Sequence, residues 1–362
     1  MVIREIQTGL ISLPLRHPFK TALRTVTAVN DVVVRVITDD GQEGYGEAPP
    51  TAVITGDTIG SITCAVRDFI RPALLGMEIE NLDGIMTRLS ACMVKNTAAK
   101  AAVDMAIYDL YGKRWGAPLY QLLGGARCQF KTDLTISVNS ADEMVSDSLE
   151  AVSRGYDILK IKVGKDAAAD LARIAAIREA VGPKTVLRVD ANQGWTPKQA
   201  VSIISTLEDR GLNIELVEQP VRAHDLDGMR YVTQRVRTPI LADESVFSAG
   251  DALDLLSTGG ADLINIKLMK TGGLWQALKI CDIAELYGAH CMVGCMLESR
   301  LSVAAAAHLA AGRGVVTLAD LDGPSLCAQD PYRGGPAFQE SIIAMTDDPG
   351  IGVTGVPCTV WQ

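Results

Sequence analysis

Between positions 135 and 320 the chain contains eight residues at nearly even intervals, most of them at the end of a short apolar run. The intervals range from 24 to 28 residues, which is the length of one β-strand followed by one crossover helix. The eight residues are Thr135, Lys162, Asp190, Glu218, Asp243, Lys267, Gly294 and Asp320. Eight such units predict a parallel sheet that closes into a barrel, in which five consecutive strands end in a charged side chain.

Helix-capping signals between the predicted strands support this division. Ser140-Ala-Asp-Glu143 and Thr196-Pro-Lys-Gln199 both have the residue pattern of a capping box at the start of a helix. The repeat stops after Asp322, which predicts an α/β fold with a modified TIM barrel, (β/α)7β, that lacks its eighth helix. The alternative is an open, doubly wound sheet, but no glycine-rich dinucleotide-binding motif accompanies these strands.

The chain before the barrel follows a different pattern. Its predicted strands and its long predicted helix cover residues 3–13, 31–38, 44–47 and 98–114. We therefore expect an α+β capping domain at 1–125, a barrel at 126–326, and a segment at 327–362 that returns to the capping domain. Residues 16–25 and 52–58 lack regular patterning, and we interpret them as lid loops beside the barrel mouth.

Composition excludes several classes of partner. The net charge of −9 argues against nucleic acid and against an anionic membrane surface. No apolar run reaches the roughly 18 residues of a membrane span, and the residues after Met1 lack the apolar core of a signal peptide. The eight cysteines include no CxxC pair, so we expect reduced thiols and a cytoplasmic protein.

Three carboxylates end neighbouring predicted strands. Asp190, Glu218 and Asp243 would meet on one side of the barrel mouth, where TIM barrels carry their active sites. Three hard oxygen ligands in one place suit Mg²⁺ or Mn²⁺. The alternative interpretation is that each carboxylate forms an ion pair with a nearby lysine or caps the next helix.

Two lysines end strands that are four apart in the predicted ring of eight. Lys162 and Lys267 would therefore face each other across the mouth, although either one alone could simply pair with a barrel carboxylate. A lysine that acts as a base needs a lowered pKa, and the charges of Lys160 and of the metal would lower it. A substrate carboxylate on the metal would place its α-carbon between the two lysines, which predicts racemisation or epimerisation.

Asp320 and Asp322 lie on the eighth strand, opposite the predicted metal ligands. Two carboxylates on one face of that strand suit a substrate cation such as a free ammonium group. The alternative is that they form a surface turn or a helix cap before Gly323-Pro324.

Several segments resemble the enolase superfamily, in particular its muconate-lactonising-enzyme subgroup. They are Lys160-Ile-Lys162, Asp190-Ala-Asn-Gln-Gly-Trp195, Glu218-Gln-Pro220, Ala242-Asp-Glu-Ser245 and Asn265-Ile-Lys-Leu-Met-Lys-Thr-Gly-Gly273. Asp320-Leu-Asp322 narrows the resemblance to dipeptide epimerases. The segment Pro18-Phe-Lys-Thr-Ala-Leu-Arg24-Thr-Val26 is similar to L-Ala-D/L-Glu epimerases.

The resemblance implies a role for each matching residue. It makes Asp190, Glu218 and Asp243 ligands of Mg²⁺, Lys162 and Lys267 the acid/base pair, and Asp320 and Asp322 the site of the dipeptide's ammonium group. It further implies three substrate contacts: Lys160 at the reacting carboxylate, Thr135 in the pocket, and Arg24 at the side-chain carboxylate of glutamate. Cys295 stands where the family leads us to expect serine.

The function implied by the resemblance is epimerisation of L-Ala-L-Glu and L-Ala-D-Glu in the recycling of murein peptides. Other dipeptides, muconate cycloisomerisation and o-succinylbenzoate synthesis are alternatives on the same scaffold. The substrates of the last two reactions carry no ammonium group to balance the charges of Asp320 and Asp322. A non-catalytic metal-binding protein would not need both lysines. We also expect a homo-oligomer.

Overall fold

The structure is a computed structural model that describes residues 1–20, 25–164, 166–357 and 360–362. It begins with an antiparallel three-stranded sheet in the order β1-β2-β3. The strands are β1 (Ile3–Lys20), β2 (Thr25–Thr38) and β3 (Glu43–Ala48). The turn predicted at Asp39-Asp40-Gly41 connects β2 to β3, and Gly41 has a φ of 80° that favours glycine.

A group of helices packs against this sheet. They are α1 (Ile59–Cys64), a π-helix (Ala65–Ile70), α2 (Arg71–Leu74), α3 (Leu82–Ala91), α4 (Thr97–Trp115) and α5 (Leu119–Leu122). The long helix α4 lies against β3, where small residues permit a close approach. A Cβ atom on Gly46 would lie 1.9 Å from the carbonyl oxygen of Ala102, and one on Gly44 would lie 2.1 Å from that of Ala106.

The second part of the chain forms a sheet of eight parallel strands in sequential order. After β4 (Gln129–Lys131), these strands are β5 (Leu134–Ile136), β6 (Ile158–Lys162), β7 (Val186–Asp190), β8 (Ile214–Glu218), β9 (Ile240–Ala242), β10 (Leu263–Lys267), β11 (His290–Gly294) and β12 (Val316–Asp320). The predicted barrel is thus confirmed, with most of the evenly spaced residues as the last residue of a strand.

Helices follow the strands on the outside of the sheet. They are α6 (Ala141–Ser153), α7 (Ala167–Val181), α8 (Pro197–Asp209), α9 (Leu226–Thr233), α10 (Ala249–Ser257), α11 (Leu268–Thr271), α12 (Leu274–Leu286), α13 (Arg300–Gly312) and α14 (Gly323–Leu326). Both predicted capping boxes, at Ser140 and at Thr196, are present. The last strand is followed only by the single turn α14, so the eighth helix is reduced as expected.

Side chains join the two ends of the barrel sheet. Within the described residues, no backbone ladder pairs β5 with β12. Instead, the backbone amide of Thr135 donates to Asp322 Oδ2 at 2.7 Å, and the amide of Leu321 donates to Thr132 Oγ1 at 2.7 Å. The sheet is therefore a nearly closed barrel whose seam depends on side-chain hydrogen bonds.

The structure corrects the expectation of an irregular loop at residues 16–25. β1 continues to Lys20 and β2 begins at Thr25, with Phe19 paired to Val26 and an irregularity in register between Pro14 and Phe19. This stretch is mostly exposed, so the strand carries no alternation of polar and apolar residues that would reveal it. Arg24 lies outside the described residues.

The C-terminal segment contacts both parts of the molecule. Its strands are β13 (Arg333–Gly334), β14 (Ala337–Gln339), β15 (Ile342–Ala344) and β16 (Val353–Gly355). β14 and β15 form a small sheet with β4, whereas Gln362 exchanges two backbone hydrogen bonds with Thr8 of β1. In the described part of the chain, no helix combines the length and the apolar character needed to cross a membrane.

We predict that Gly46→Ala destabilises the protein, because its new methyl group would collide with the backbone of α4. The expected loss is about 1–3 kcal/mol of unfolding free energy, as for overpacked cores. The measurement is urea denaturation followed by circular dichroism. The matched control is Gly60→Ala in α1, where the nearest atom to a Cβ is Thr58 Oγ1 at 4.0 Å, and where we expect no loss. Equal stability of the two variants would contradict the close packing of β3 on α4.

Candidate active site

Six of the predicted site residues line one pocket at the carboxyl ends of the barrel strands: Thr135, Lys162, Asp243, Lys267, Asp320 and Asp322. Adjacent strand ends are in register, since Lys162 pairs with Asp190, and Asp190 with Glu218. On the other side of the barrel, Lys267 pairs with Gly294, and Gly294 with Asp320. The capping domain closes the pocket, whose lining includes Phe19, Thr51, Val53, Ile54, Thr135, Lys162, Asn192, Asp243, Glu244, Lys267, Cys295, Met296, Leu297, Asp320, Asp322 and Leu326.

Lys160 lies at the centre of the charged cluster and is only 1% exposed. Its Nζ atom is 2.6 Å from Glu218 Oε2, 2.7 Å from Asp320 Oδ2 and 3.2 Å from Asp190 Oδ2. Burial disfavours its charged form, but the surrounding carboxylates outweigh burial and raise the pKa of Lys160 well above its usual value. Lys160 is therefore a fixed ammonium group that links β6 to β7, β8 and β12.

The two lysines predicted to face each other stand on strands four apart in the sheet order, β6 and β10. Lys162 Nζ lies 2.5 Å from Asp190 Oδ2, and Lys267 Nζ lies 2.8 Å from Asp243 Oδ2. Both lysines line the same pocket. The ion pairs that we weighed as an alternative interpretation are thus present, and they involve the lysines that line the pocket.

The pKa of Lys267 results from opposing effects in the pocket. Burial lowers it, and the charge of Lys160 lowers it as we expected, but the negative charge of Asp243, with smaller effects of Glu218 and Asp320, outweighs both and raises the pKa of Lys267. Its nearest carboxylate therefore stabilises the ammonium form. Lys267 can therefore act as a base only when another positive charge beside Asp243 offsets the charge of this carboxylate.

The chemistry of the carboxylate cluster fits a divalent cation. Asp190, Glu218 and Asp243 are almost completely buried, and the only charges beside Glu218 Oε2 and Asp243 Oδ1 that oppose theirs in the described residues are lysine ammonium groups, 2.6 Å away in both cases. Burial, with repulsion from Asp190, raises the pKa of Glu218 to about 8. A hard cation would relieve this repulsion.

In the present arrangement, lysine ammonium groups occupy the space between these carboxylates. Among the described residues, no three Asp, Glu, His or Cys side chains adopt an arrangement that could hold a metal ion. Each predicted ligand is instead turned towards a lysine at 2.5–3.2 Å. The donor set fits Mg²⁺, whereas the side-chain orientations are those of a lysine–carboxylate network.

Asp320 and Asp322 lie side by side in the same pocket. Burial tends to raise the pKa of both groups. The lysines around Asp320, above all Lys160, overcome burial and lower its pKa to about 2. Burial and the charge of Asp320 raise the pKa of Asp322 to about 6. At neutral pH this pair carries negative charge, and one oxygen of Asp322 is already bound by the amide of Thr135.

Four further polar residues belong to the site but were not singled out from the sequence. Lys270 is fully buried, with its Nζ 2.6 Å from Asp243 Oδ1 and 3.0 Å from the carbonyl oxygen of Asn265. Asn265 donates to Glu218 Oε1 at 2.9 Å, and Asn192 donates its backbone amide to Asp190 Oδ1 at 2.8 Å. Glu244 is buried in the pocket, where burial and then Asp243 raise its pKa to about 7.

The signal for Lys270 was the motif that contains Lys267, because the two residues are three apart at the start of a helical turn. Cys295, the departure from the expected serine, lines the pocket, and its backbone amide donates to the carbonyl oxygen of Asp320 at 3.1 Å. Burial and the nearby Asp322 raise the pKa of the Cys295 thiol well above its usual value, which makes it a neutral pocket wall.

Comparison with known proteins places this site in a family. Residues 5–124 match the family described as mandelate racemase / muconate lactonizing enzyme, N-terminal domain, and residues 143–356 match the one described as enolase C-terminal domain-like. The L-Ala-D/L-Glu epimerase of Clostridium acetobutylicum is 53% identical over 356 residues, which cover 98% of this chain and 99% of that protein.

Solved structures agree with these matches. The substrate-liganded complex of the L-Ala-D/L-Glu epimerase from Bacillus subtilis has a TM-score of 0.97 and 49% identity, with 98% of this chain and 99% of that chain covered. The dipeptide epimerase from Enterococcus faecalis, complexed with Mg and L-Leu-L-Tyr, has a TM-score of 0.95 and 42% identity, with 98% and 100% covered. With both of its parts matched and most of its length aligned to these enzymes, the chain is an isomerase that belongs to the mandelate racemase / muconate lactonizing enzyme family of the enolase superfamily.

Proposed function

We propose that the protein is a metal-dependent dipeptide epimerase that inverts the α-carbon of the C-terminal residue, with L-Ala-L-Glu and L-Ala-D-Glu as substrates. The observation that carries the proposal is the combination of Lys162 and Lys267 on opposite strands with Asp320 and Asp322 in the same pocket. Relatives named L-Ala-D/L-Glu epimerase at 53% and 49% identity support it. The substrates suggest a role in murein peptide recycling.

In this proposal the two lysines transfer one proton each. The neutral lysine on one face removes the α-proton of the substrate, and the ammonium group of the opposite lysine returns a proton to the other face. The intermediate is an enediolate, in which the α-carbon is planar. The configuration that the substrate had at this carbon is therefore lost. When bound by Asp190, Glu218 and Asp243, Mg²⁺ or Mn²⁺ would supply positive charge that stabilises the enediolate and favours the neutral form of the nearby lysine.

The other pocket residues hold the dipeptide. Asp320 and Asp322 bind its ammonium group, because two carboxylates in a buried pocket need a cation. Lys160 stabilises the reacting carboxylate, and Thr135 lines the pocket while its backbone fixes Asp322. Arg24, which lies outside the described residues, pairs with the side-chain carboxylate of glutamate.

A second candidate is epimerisation of dipeptides with an apolar C-terminal residue. The part of the pocket that the capping domain contributes includes Phe19, Val53 and Ile54. These side chains offer no charge that would favour glutamate. Muconate cycloisomerisation and o-succinylbenzoate synthesis are disfavoured because their substrates lack an ammonium group for Asp320 and Asp322.

We further propose the cytoplasm as the location, in keeping with the seven cysteines of the described residues, all of which are free thiols. The homo-oligomeric state and the division of the chain at 125/126 and 326/327 also stay predictions. Small-angle scattering or light scattering would measure the number of subunits.

Incubation with Mg²⁺ in D₂O tests the proposed function. We expect the glutamyl α-proton signal of L-Ala-L-Glu to disappear in the NMR spectrum while L-Ala-D-Glu accumulates. N-acetyl-L-Ala-L-Glu is the matched control, because it lacks the ammonium group and should react at least about 10²-fold more slowly. Exchange with no dipeptide at all would refute the proposal. Exchange only with leucyl or lysyl dipeptides would refute the role of Arg24 and favour the second candidate.

Replacement of either proposed base should abolish epimerisation. Lys162→Arg and Lys267→Arg keep the positive charge but cannot lose a proton near neutral pH, so we expect epimerisation to fall about 10²- to 10⁴-fold or more. Each variant should still exchange the α-proton of one epimer, and the two variants should retain opposite epimers. Lys279→Arg, on the exposed side of α12, is the control and should retain full activity. Full activity in either site variant would disprove the two-base scheme.

Mg²⁺ should raise the melting temperature of the protein through the carboxylate cluster. A ligand at one hundred times its dissociation constant adds about 2.7 kcal/mol of stability. We expect this shift to disappear in Glu218→Gln and to remain in Glu179→Gln, which alters an exposed residue of α7. Chelation with EDTA should remove both the thermal shift and epimerisation. An equal shift in the two variants would place the cation elsewhere.

A further inference from the structure

A buried acidic side chain of the capping domain contacts the start of α12, seven residues after Lys267 in the chain. Asp104, on α4, is 1% exposed, and its Oδ1 and Oδ2 atoms accept hydrogen bonds from the backbone amides of Leu274 at 2.6 Å and Trp275 at 3.1 Å. No cationic side chain forms an ion pair with Asp104 in the described part of the chain. Its environment is therefore defined by the first turn of α12.

The start of α12 depends on this contact because it has no cap of its own. Its N-cap residue is Gly273, which provides no side chain, and its first turn contains no acidic residue. Free amides at a helix N-terminus need acceptors, and a carboxylate also interacts favourably with the helix dipole. Asp104 supplies the acceptors from another part of the chain, 170 residues away, while burial raises its pKa to about 8.

The glycine at position 273 makes room for this carboxylate. A Cβ atom there would lie 2.3 Å from Asp104 Cγ, and the backbone φ of 115° is one that other residues rarely adopt. Gly273, which the proposed chemistry does not use, thus leaves the space that Asp104 occupies.

The segment between Lys267 and Gly273 is short, buried and internally hydrogen-bonded. The amides of Gly272 and Gly273 both donate to the carbonyl oxygen of Leu268 at 3.0 Å, and Leu268 directly follows Lys267. Thr271 Oγ1 donates to the carbonyl oxygen of Gly273 at 3.0 Å. A displacement of the α12 N-terminus would therefore act on Lys267 through a short hydrogen-bonded segment rather than through a long loop.

We propose that Asp104 is a positioning residue through which the capping domain sets the location of Lys267 for proton transfer. The inference rests on the proposed function, since it concerns one of the two proposed bases. It adds that the two bases depend differently on the capping domain. Lys162 ends β6, and in the described residues the hydrogen bonds of Asp104 go to α12, whereas the amide of Gly164, two residues after Lys162, donates to Asp170.

A second capping-domain carboxylate provides a matched comparison. Glu47, at the end of β3, is also fully buried and accepts from the backbone amides of Ser299 at 2.8 Å and Ser302 at 3.1 Å, at the start of α13. This helix follows β11, which carries no proposed base. Glu47→Gln therefore perturbs the same kind of contact without the connection to Lys267.

The test measures α-proton exchange in D₂O separately for the two dipeptide epimers. Overall epimerisation cannot distinguish the two bases, because the equilibrium constant fixes the ratio of the forward and reverse reactions. The epimer that faces Lys267 is the one whose exchange Lys267→Arg abolishes. In Asp104→Asn, one acceptor oxygen becomes an amide group that cannot accept from α12.

We expect Asp104→Asn to slow exchange of the Lys267-facing epimer about tenfold or more, as for a small misplacement of a catalytic group, with a much smaller effect on the other epimer. Gly273→Ala, which displaces Asp104 from the other side, should give the same asymmetry. Glu47→Gln should affect the two epimers equally. Melting temperatures of all variants establish that they are folded.

Equal slowing of both epimers in Asp104→Asn, or no slowing in a folded variant, would overturn the inference and leave the proposed function intact. Absence of exchange in the unmodified protein would remove the proposed function and the inference together. Slower exchange of the epimer that faces Lys162, with little effect on the other epimer, would also overturn the inference, because this result would connect Asp104 to Lys162.

Discussion

The buried ammonium group of Lys160 is the interaction on which the barrel mouth depends. It lies within 3.2 Å of carboxylate oxygens from β7, β8 and β12, which are otherwise like charges in an environment with little water. Removal of one member of such a buried group leaves charges uncompensated, at a cost of several kcal/mol. The strand ends therefore come together only as a set of opposite charges. This requirement brings lysines and carboxylates to the same edge of the sheet.

The same requirement limits what the cluster can do on its own. A lysine whose pKa is raised by an adjacent carboxylate is a poor base, and Lys267 beside Asp243 is in this situation. Lys270 adds a second positive charge at the other oxygen of Asp243, 2.6 Å away. An added cation at the carboxylates would offset their negative charge, lower the pKa of the adjacent lysines and so favour neutral lysine. Proton transfer and cation binding are two aspects of one electrostatic equilibrium.

Much of this arrangement could be predicted from the sequence, because buried parallel strands are uninterrupted apolar runs with abrupt polar ends. Lys162, Asp190, Glu218, Lys267, Gly294 and Asp320 each end a strand of the structure at the predicted position. The extension of β1 to Lys20 could not be predicted, since its exposed residues lack alternation. The contact between Asp104 and Leu274 could not be predicted either, because no local pattern connects residues that are 170 positions apart. Orientations of the carboxylates also depend on which cation is adjacent, and sequence spacing carries no information about that choice.

The seam of the barrel links the fold to the proposed recognition of the dipeptide. A backbone ladder between β5 and β12 would consume the amide of Thr135, but this amide donates to Asp322 at 2.7 Å. Asp322 is thereby held in place by Thr135, and its carboxylate lines the pocket. A carboxylate that is oriented before the ligand arrives loses little conformational entropy on binding. The departure from regular strand pairing at the seam therefore has a use, because it presents a fixed negative group where an ammonium group would enter.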